Sequence, residues 1–258
     1  MNDYKVVARN FSESSENKIH SDEIARKFGF RGALVPGVAV YGHLAHLPVR
    51  EFGETWLAHS VDNLRLIKPA YHDEQINLSM TSADDLHTVT CHDRDGLLLA
   101  NLTTSMPAQL PAPENPELLD GDYKHPERVE ITWETVVPNQ PFTPWEITLT
   151  AEQNRKYFEQ VAESLPIYDN GLIHPHYVLS LANEALMKEY IMPTWIHVGS
   201  ETRRRQLLRE GDTIVMRSVP LEKWQKKGHE FIRLYVTFWR DGELAADIHH
   251  TAIFKVAA

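Results

Sequence analysis

The sequence predicts an α+β protein made of two copies of one unit, each a central helix wrapped by an antiparallel β-sheet. Two stretches carry the argument: WLAHSVDNLRLIKPAYHDEQI from Trp56 and WIHVGSETRRRQLLREGDTIV from Trp195 match in outline without a gap. Each runs from its Trp to an acidic turn residue, Asp73 or Asp212, and then into another β-rich run. Each half later carries an Arg-Asp-Gly turn, Arg94-Asp95-Gly96 or Arg240-Asp241-Gly242, before a last apolar strand. The tryptophans are 139 residues apart, too long a period for a solenoid and suited to a duplicated domain.

The elements follow in order. Residues 21–28 and 38–52 read as helical, with Ser21 placed to cap the first turn. Strands are expected near 56–67, 74–82, 86–93 and 97–106, divided by the His72-Asp73 and Asp95-Gly96 turns. The second half repeats the plan, with helices near 151–163 and 176–190 and strands near 195–207, 213–221, 230–239 and 243–256. Between them, PAQLPAPENPELLDGDYKHPE is rich in Pro and acid, which is a linker in composition. The expected division is 1–108 for the first repeat, 109–128 for the linker and 129–258 for the second repeat. A sheet with one apolar helix must wrap that helix to bury it, and edges from two copies can pair into one continuous sheet.

Composition narrows the function. A net charge of -10 offers no general attraction for nucleic acid or an anionic membrane. The one cysteine, Cys91, excludes an internal disulfide and a multi-thiolate metal site within one chain. It lies in LHTVTCH, which alternates like a strand, so a packed thiol is expected. The opening MNDYKVVARNFSES lacks a signal-peptide core, and no apolar run approaches the ~18–20 residues of a membrane span. A cytoplasmic setting is the expectation.

The segment SENKIHSDEIARKFGFRGALVPG, residues 15–37, carries the sharpest motif. Asn17, Ile19, His20, Ala25, Gly29-Phe30 and Gly37 stand in an order that resembles the double hotdog branch of the MaoC-like, (R)-specific enoyl-CoA hydratase (hydratase 2) superfamily. That family's motif runs roughly Gly-Asp-x-Asn-Pro-(Leu/Ile)-His, then Ala, Gly-Phe and a Pro-x-x-His-Gly turn. Here Lys18 replaces the Pro, Pro36 replaces the His before the last Gly, and Ser15 replaces the catalytic Asp. The resemblance implies a double hotdog fold and a hydro-lyase that adds or removes water at a 2-enoyl/3-hydroxyacyl thioester. Its substrate is an acyl-CoA or acyl-carrier thioester, coenzyme A enters only as part of that substrate, and no separate cofactor is implied. Homo-oligomers are also common in the superfamily.

Within that resemblance, His20 and Asn17 are expected catalytic residues, and Ser15 and Gly37 bind substrate. The backbone N–H at Gly37 would polarise the thioester carbonyl from a helix start. The second half offers an alternative in PIYDNGLIHPHYV: Asp169 stands five residues before His174, the separation of Ser15 from His20. The same run, residues 169–177, resembles the loop of hotdog acyl-CoA thioesterases, so hydrolysis is a second reading and acyl binding without catalysis a third. Plainer readings stand beside these: His20 as a capping residue, Asn17 as a turn former, and Asp169-Asn170-Gly171 as an ordinary turn. His174/His176 and His249-His250 lack a full metal ligand set, so no metal is expected. Arg203-Arg204-Arg205, in an expected strand, reads as a solvated face or as a contact for coenzyme A phosphates.

Overall fold

The computed structural model describes residues 3–120 and 127–257, so residues 121–126 of the expected linker lie outside the described residues. Among the described residues, twelve strands and five α-helices follow one another. The first half holds β1 (Asp3–Ala8), α1 (Asp22–Lys27), α2 (Gly37–Phe52), α3 (Glu54–Ala58), β2 (Ser60–Leu66), β3 (Glu74–Ala83), β4 (Leu86–Asp93) and β5 (Leu98–Ser105). The second holds β6 (Val129–Glu130), β7 (Trp145–Thr148), α4 (Ala151–Gln160), α5 (Pro175–Glu189) and β8 (Tyr190–Ile191). It continues with β9 (Ile196–Arg204), β10 (Thr213–Lys226), β11 (His229–Arg240) and β12 (Glu243–Lys255).

Ten strands form one antiparallel sheet in the order β1-β3-β4-β5-β2-β9-β12-β11-β10-β7. The halves meet where β2 pairs with β9, from Ser60 opposite Arg204 to Arg65 opposite Gly199. Pairing there consumes two edges that would otherwise expose unpaired N–H and C=O groups. The long helices α2 and α5 pack on each other and on the sheet within one apolar core. Residues 38–49 of α2 are all buried, as expected for a helix that is apolar around its whole circumference. Gly42 permits the close crossing, since a methyl group there would come 3.0 Å from His176 Cβ. Gly53, with φ 58, ends the helix.

Hydrogen bonds fix how the halves correspond. Val35 N donates to Ala70 O at 2.9 Å, and Ile173 N donates to Leu208 O at 3.1 Å. Ile67 and Lys68 both donate to Leu99 O, as Arg205 and Gln206 both donate to Ala245 O. Isolated bridges join Leu34 to Tyr71 and Leu172 to Arg209. From Leu34 to Tyr71 these pairs have an offset of 138, one less than the tryptophan spacing, and it widens to 146 between Leu99 and Ala245, beyond the longer hairpins of the second half. Alternate strand residues face opposite ways, so a one-residue slip exchanges the faces. The outline match of Trp56 with Trp195 and Asp73 with Asp212 is therefore corrected: Trp195 answers to Leu57, and Gly211 answers to Asp73. Both of those turn residues are left-handed, with φ 57 and 92. Trp56 itself sits in α3 rather than at the start of a strand.

Part of the expected linker is fixed to the second half. Arg205 Nη2 donates to Pro111 O at 2.7 Å, Glu114 meets His249 Nε2 at 2.9 Å, and Leu119 packs with Val219 and Tyr235. Cys91 is buried in β4, and burial pushes its thiol up to about 12. No helix among the described residues is long and apolar enough to cross a membrane.

Candidate active site

A short 3-10 helix, Lys18–His20, carries the first pair of site residues. Asn17 Oδ1 accepts from Trp195 N at 3.2 Å and from Ile19 N at 3.4 Å. Its Nδ2 must then be the donor, to Trp195 O at 3.0 Å and towards His20 Nε2 at 3.4 Å. One asparagine thereby ties the first half's loop to the chain entering β9. His20 Nδ1 lies 2.8 Å from Leu34 O. A carbonyl only accepts, so Nδ1 carries the hydrogen and Nε2 of the neutral ring keeps its lone pair. Burial lowers the His20 pKa against the Leu34 bond, which raises it.

His20, Asn17 and Gly37 are brought together in one cleft of about 400 Å³, walled also by Leu34, Leu66 and Trp195. Gly37 is the first residue of α2. No acidic residue is among the described residues that line this cleft. Ser15 is not on its wall either; its hydroxyl donates to Asn17 O at 3.1 Å.

Asp169 and His174 are placed differently. Asp169 is exposed on a 3-10 turn, Pro166–Asn170. His174 is fully buried and caps α5, its Nδ1 accepting from His176 N at 3.1 Å. By the offset of 138, His174 answers to Pro36 and not to His20. The bond that His20 makes to Leu34 O is made in the second half by Asn154, which donates to Leu172 O at 2.8 Å. Asn154 Oδ1 also accepts from His174 N at 2.9 Å. The equal Asp-to-His spacing thus does not mark equivalent sites.

The counterpart of the cleft exists but is nearly filled, at about 20 Å³. Its Ile173, Pro175, Val178 and Leu208 answer to Val35, Gly37, Val40 and Ala70. Arg204 stands there in place of Leu66. Its Nη1 donates to Asp62 at 2.7 Å and Ser60 at 2.8 Å, and its guanidinium lies 3.9 Å from the Trp56 ring centre. Arg203 and Arg205 both pair with Asp247 at 2.8 Å. All three arginines are therefore engaged within the chain, and Arg204 is core rather than a solvated face.

A second polar group lies between the helices. Glu163 Oε1 is 2.9 Å from His46 Nδ1, and its Oε2 is 3.6 Å from His174 Nε2. Burial opposes the Glu163 charge, but His174 and His46 facing it outweigh burial and hold its pKa low. Neither nitrogen of buried His43 has a hydrogen-bond partner, and the Tyr168 hydroxyl has none. Burial, then the charge of His174, pushes His43 down to about 4, and the same causes push His176 down to about 3. No cluster of His, Cys, Asp or Glu suited to a metal ion occurs among the described residues.

These histidines have a stability consequence. Their folded pKa values lie below the unfolded value near 6.5, so the unfolded chain binds more protons in between. Stability is complete above about pH 6.5 and falls as pH drops towards 4, by about 1.4 kcal/mol per unit for each such imidazole. Urea unfolding should show this decline between pH 6.5 and 4, and His43→Leu should make it shallower by one imidazole. An unchanged slope in that variant would refute the assignment.

His197 and Asn183 on the cleft wall were not singled out by the sequence. A lone histidine in a strand and an asparagine in a helix carry no local signal. Only the pairing of β2 with β9 and of α2 with α5 brings them there.

The continuous ten-stranded sheet, its two wrapped helices and the 138-residue correspondence define a double hotdog protein. Solved structures agree. The chain is similar to a protein named as a MaoC domain dehydratase from Chloroflexus aurantiacus J-10-fl, with TM-score 0.64, 11% identity, and coverage of 97% of this chain and 93% of that one. It is similar to a double hotdog protein of Mycobacterium tuberculosis essential for bacterial survival during infection, with TM-score 0.61, 12% identity, and coverage of 98% and 96%. A protein named as an oleoyl thioesterase from Lactobacillus plantarum follows, with TM-score 0.58, 10% identity, and coverage of 100% and 96%. The sequence matches no protein-family profile and no curated protein sequence.

Proposed function

We propose that the protein adds or removes water at a 2-enoyl/3-hydroxyacyl thioester, carried by coenzyme A or an acyl carrier, in the cleft of the first half. The observation behind this is that His20 Nε2 keeps its lone pair, met by Asn17 Nδ2 at the long distance of 3.4 Å, in a cleft that also holds the start of α2. The equivalent helix start in the second half is closed by Arg204.

In the hydration direction, His20 Nε2 takes a proton from water as the water oxygen bonds to the β-carbon. The C=C electron pair moves towards the α-carbon and the thioester oxygen. Charge developing on that oxygen is met by the unpaired N–H groups at the start of α2. The His20 imidazolium then returns its proton to the α-carbon on the same face, so the ring ends neutral. Asn17, with both its amide atoms engaged, fixes the ring of His20. Ser15 leaves no carboxylate beside His20, and turnover should be slow for this chemistry. Coenzyme A belongs to the substrate, and a cytoplasmic setting fits such substrates.

Hydrolysis is the alternative, because the oleoyl thioesterase named above has this fold. There His20 would aim its water at the carbonyl carbon instead. Trans-2-enoyl-CoA and saturated acyl-CoA substrates, followed for enoyl absorbance and for released thiol, separate the two. Loss of enoyl absorbance with the thioester intact is expected. Thiol release would favour the hydrolase, and neither change would leave an acyl-binding protein.

A further inference from the structure

The second half contributes His197 of β9 to the cleft wall. A methyl group placed on Gly37 would fall 2.9 Å from His197 Nδ1 and would collide with Leu66 Cδ1. His197 Nδ1 therefore lies against the first residue of α2, as does the tip of Leu66. The residue is 6% exposed, and Nδ1 has no hydrogen-bond partner.

The rest of the ring is engaged. His197 Nε2 lies 2.8 Å from Ser200 Oγ, which lies 3.0 Å from His250 Nδ1, and the two imidazoles stack with centres 4.3 Å apart. If His250 Nδ1–H donates to Ser200 and Ser200 donates to His197 Nε2, then His197 Nδ1 carries a hydrogen aimed at the start of α2. Burial holds the ring neutral, its pKa pushed down to about 3 against the Gly199 backbone, which raises it. A neutral imidazole donates a hydrogen bond without adding a charge to an acid-free cleft.

The first half shows what this arrangement replaces. His59, which answers to His197, has its Nε2 2.6 Å from Pro107 O, and Asp62 stands where the second half has Ser200. A buried imidazole nitrogen without a hydrogen-bond partner stands at the open helix start, whereas the corresponding ring of the other half, His59, is bonded to Pro107 O.

We propose that His197 Nδ1–H is a second donor to the substrate's thioester oxygen, beside the backbone at the start of α2, reached when the Leu66 tip swings aside. This rests on the thioester reading above. Two donors of different origin, one from each half, would then hold one carbonyl oxygen.

Calorimetry with butyryl- and octanoyl-CoA, and with the matching S-alkyl-CoA thioethers that lack the carbonyl, tests this directly. Wild type should bind each thioester at least about tenfold more tightly than its thioether. His197→Leu should reduce that preference about 5- to 10-fold, the share of one hydrogen bond, with thioether affinity unchanged. His197→Asn, whose amide can supply a donor near the Nδ1 position, should restore most of it. A readout on the wild-type protein guards against a variant that fails to fold: the ¹⁵N resonance of His197 Nδ1 should move on adding thioester and stay put on adding thioether. An undiminished preference in a folded His197→Leu protein, or an Nδ1 resonance indifferent to the carbonyl, overturns the proposal while leaving the thioester reading intact. Binding of neither ligand class by wild type overturns the thioester reading and this proposal together.

Discussion

His20→Asn is expected to lower the hydration rate of a short or medium enoyl-CoA about 10²–10⁴-fold, the usual share of a general acid/base, while the protein stays folded. Asparagine is the informative replacement because the chain already uses one for the structural half of the job. Asn154 donates to Leu172 O at 2.8 Å, as His20 Nδ1 does to Leu34 O at 2.8 Å. The substitution therefore keeps a donor for Leu34 and removes only the Nε2 lone pair. His20→Ala should lose the same activity and in addition about 1 kcal/mol of stability from the missing hydrogen bond. Asp169→Asn serves as the contrast: the side chain is exposed on a turn and off the cleft wall, so its rate should match wild type. Wild-type hydration by folded His20→Asn would remove His20 from the chemistry, and a loss in Asp169→Asn would point to the other half.

What the sequence disclosed and what it concealed divide along a physical line. Helices and hairpins were legible because turn residues and alternation are local: Asp95-Gly96 and Asp241-Gly242 close the hairpins β4-β5 and β11-β12. Strand β1 was missed, since DYKVVA is short and gains its order by pairing with β3. The stretch after Trp56 reads like a strand, yet its first residues form α3, where Trp56 donates to Thr104 at 2.8 Å. In the sequence the offset between repeats comes out one residue long because two tryptophans are conspicuous, whereas the backbone bonds at Leu99 and Ala245 are invisible there. The same limit applies to the site. The loop from Asn17 to His20 and the Gly37 turn could be seen, but which residue meets Leu34 O or Leu172 O is a tertiary fact. It separates His174, a buried helix cap, from the role that its spacing to Asp169 suggested.

Arg204→Ala should destabilise the protein by about 3–5 kcal/mol, the cost of leaving a buried charge without its partner. Asp62 would be that charge. It is 1% exposed, takes Arg204 Nη1 at 2.7 Å and accepts from Tyr41 at 2.9 Å and Thr104 at 2.6 Å. Arg204 Nη2 also donates to the Tyr41 hydroxyl, and the guanidinium covers Trp56. Removing both charges is a different experiment. In Asp62→Leu/Arg204→Leu no ion is stranded, and apolar side chains fill the space, so about half or more of the lost stability should return. Urea unfolding of wild type, the single variant and the double variant measures the difference. If the single variant is as stable as wild type, Arg204 is not a structural plug. If the double variant is no better than the single, lost packing rather than a stranded carboxylate explains the cost. The expected order ties the closure of the second helix start to stability: its space is occupied by an ion pair whose removal the fold resists. At the first helix start Leu66 stands in the same place, an uncharged tip that can move without leaving any buried charge behind.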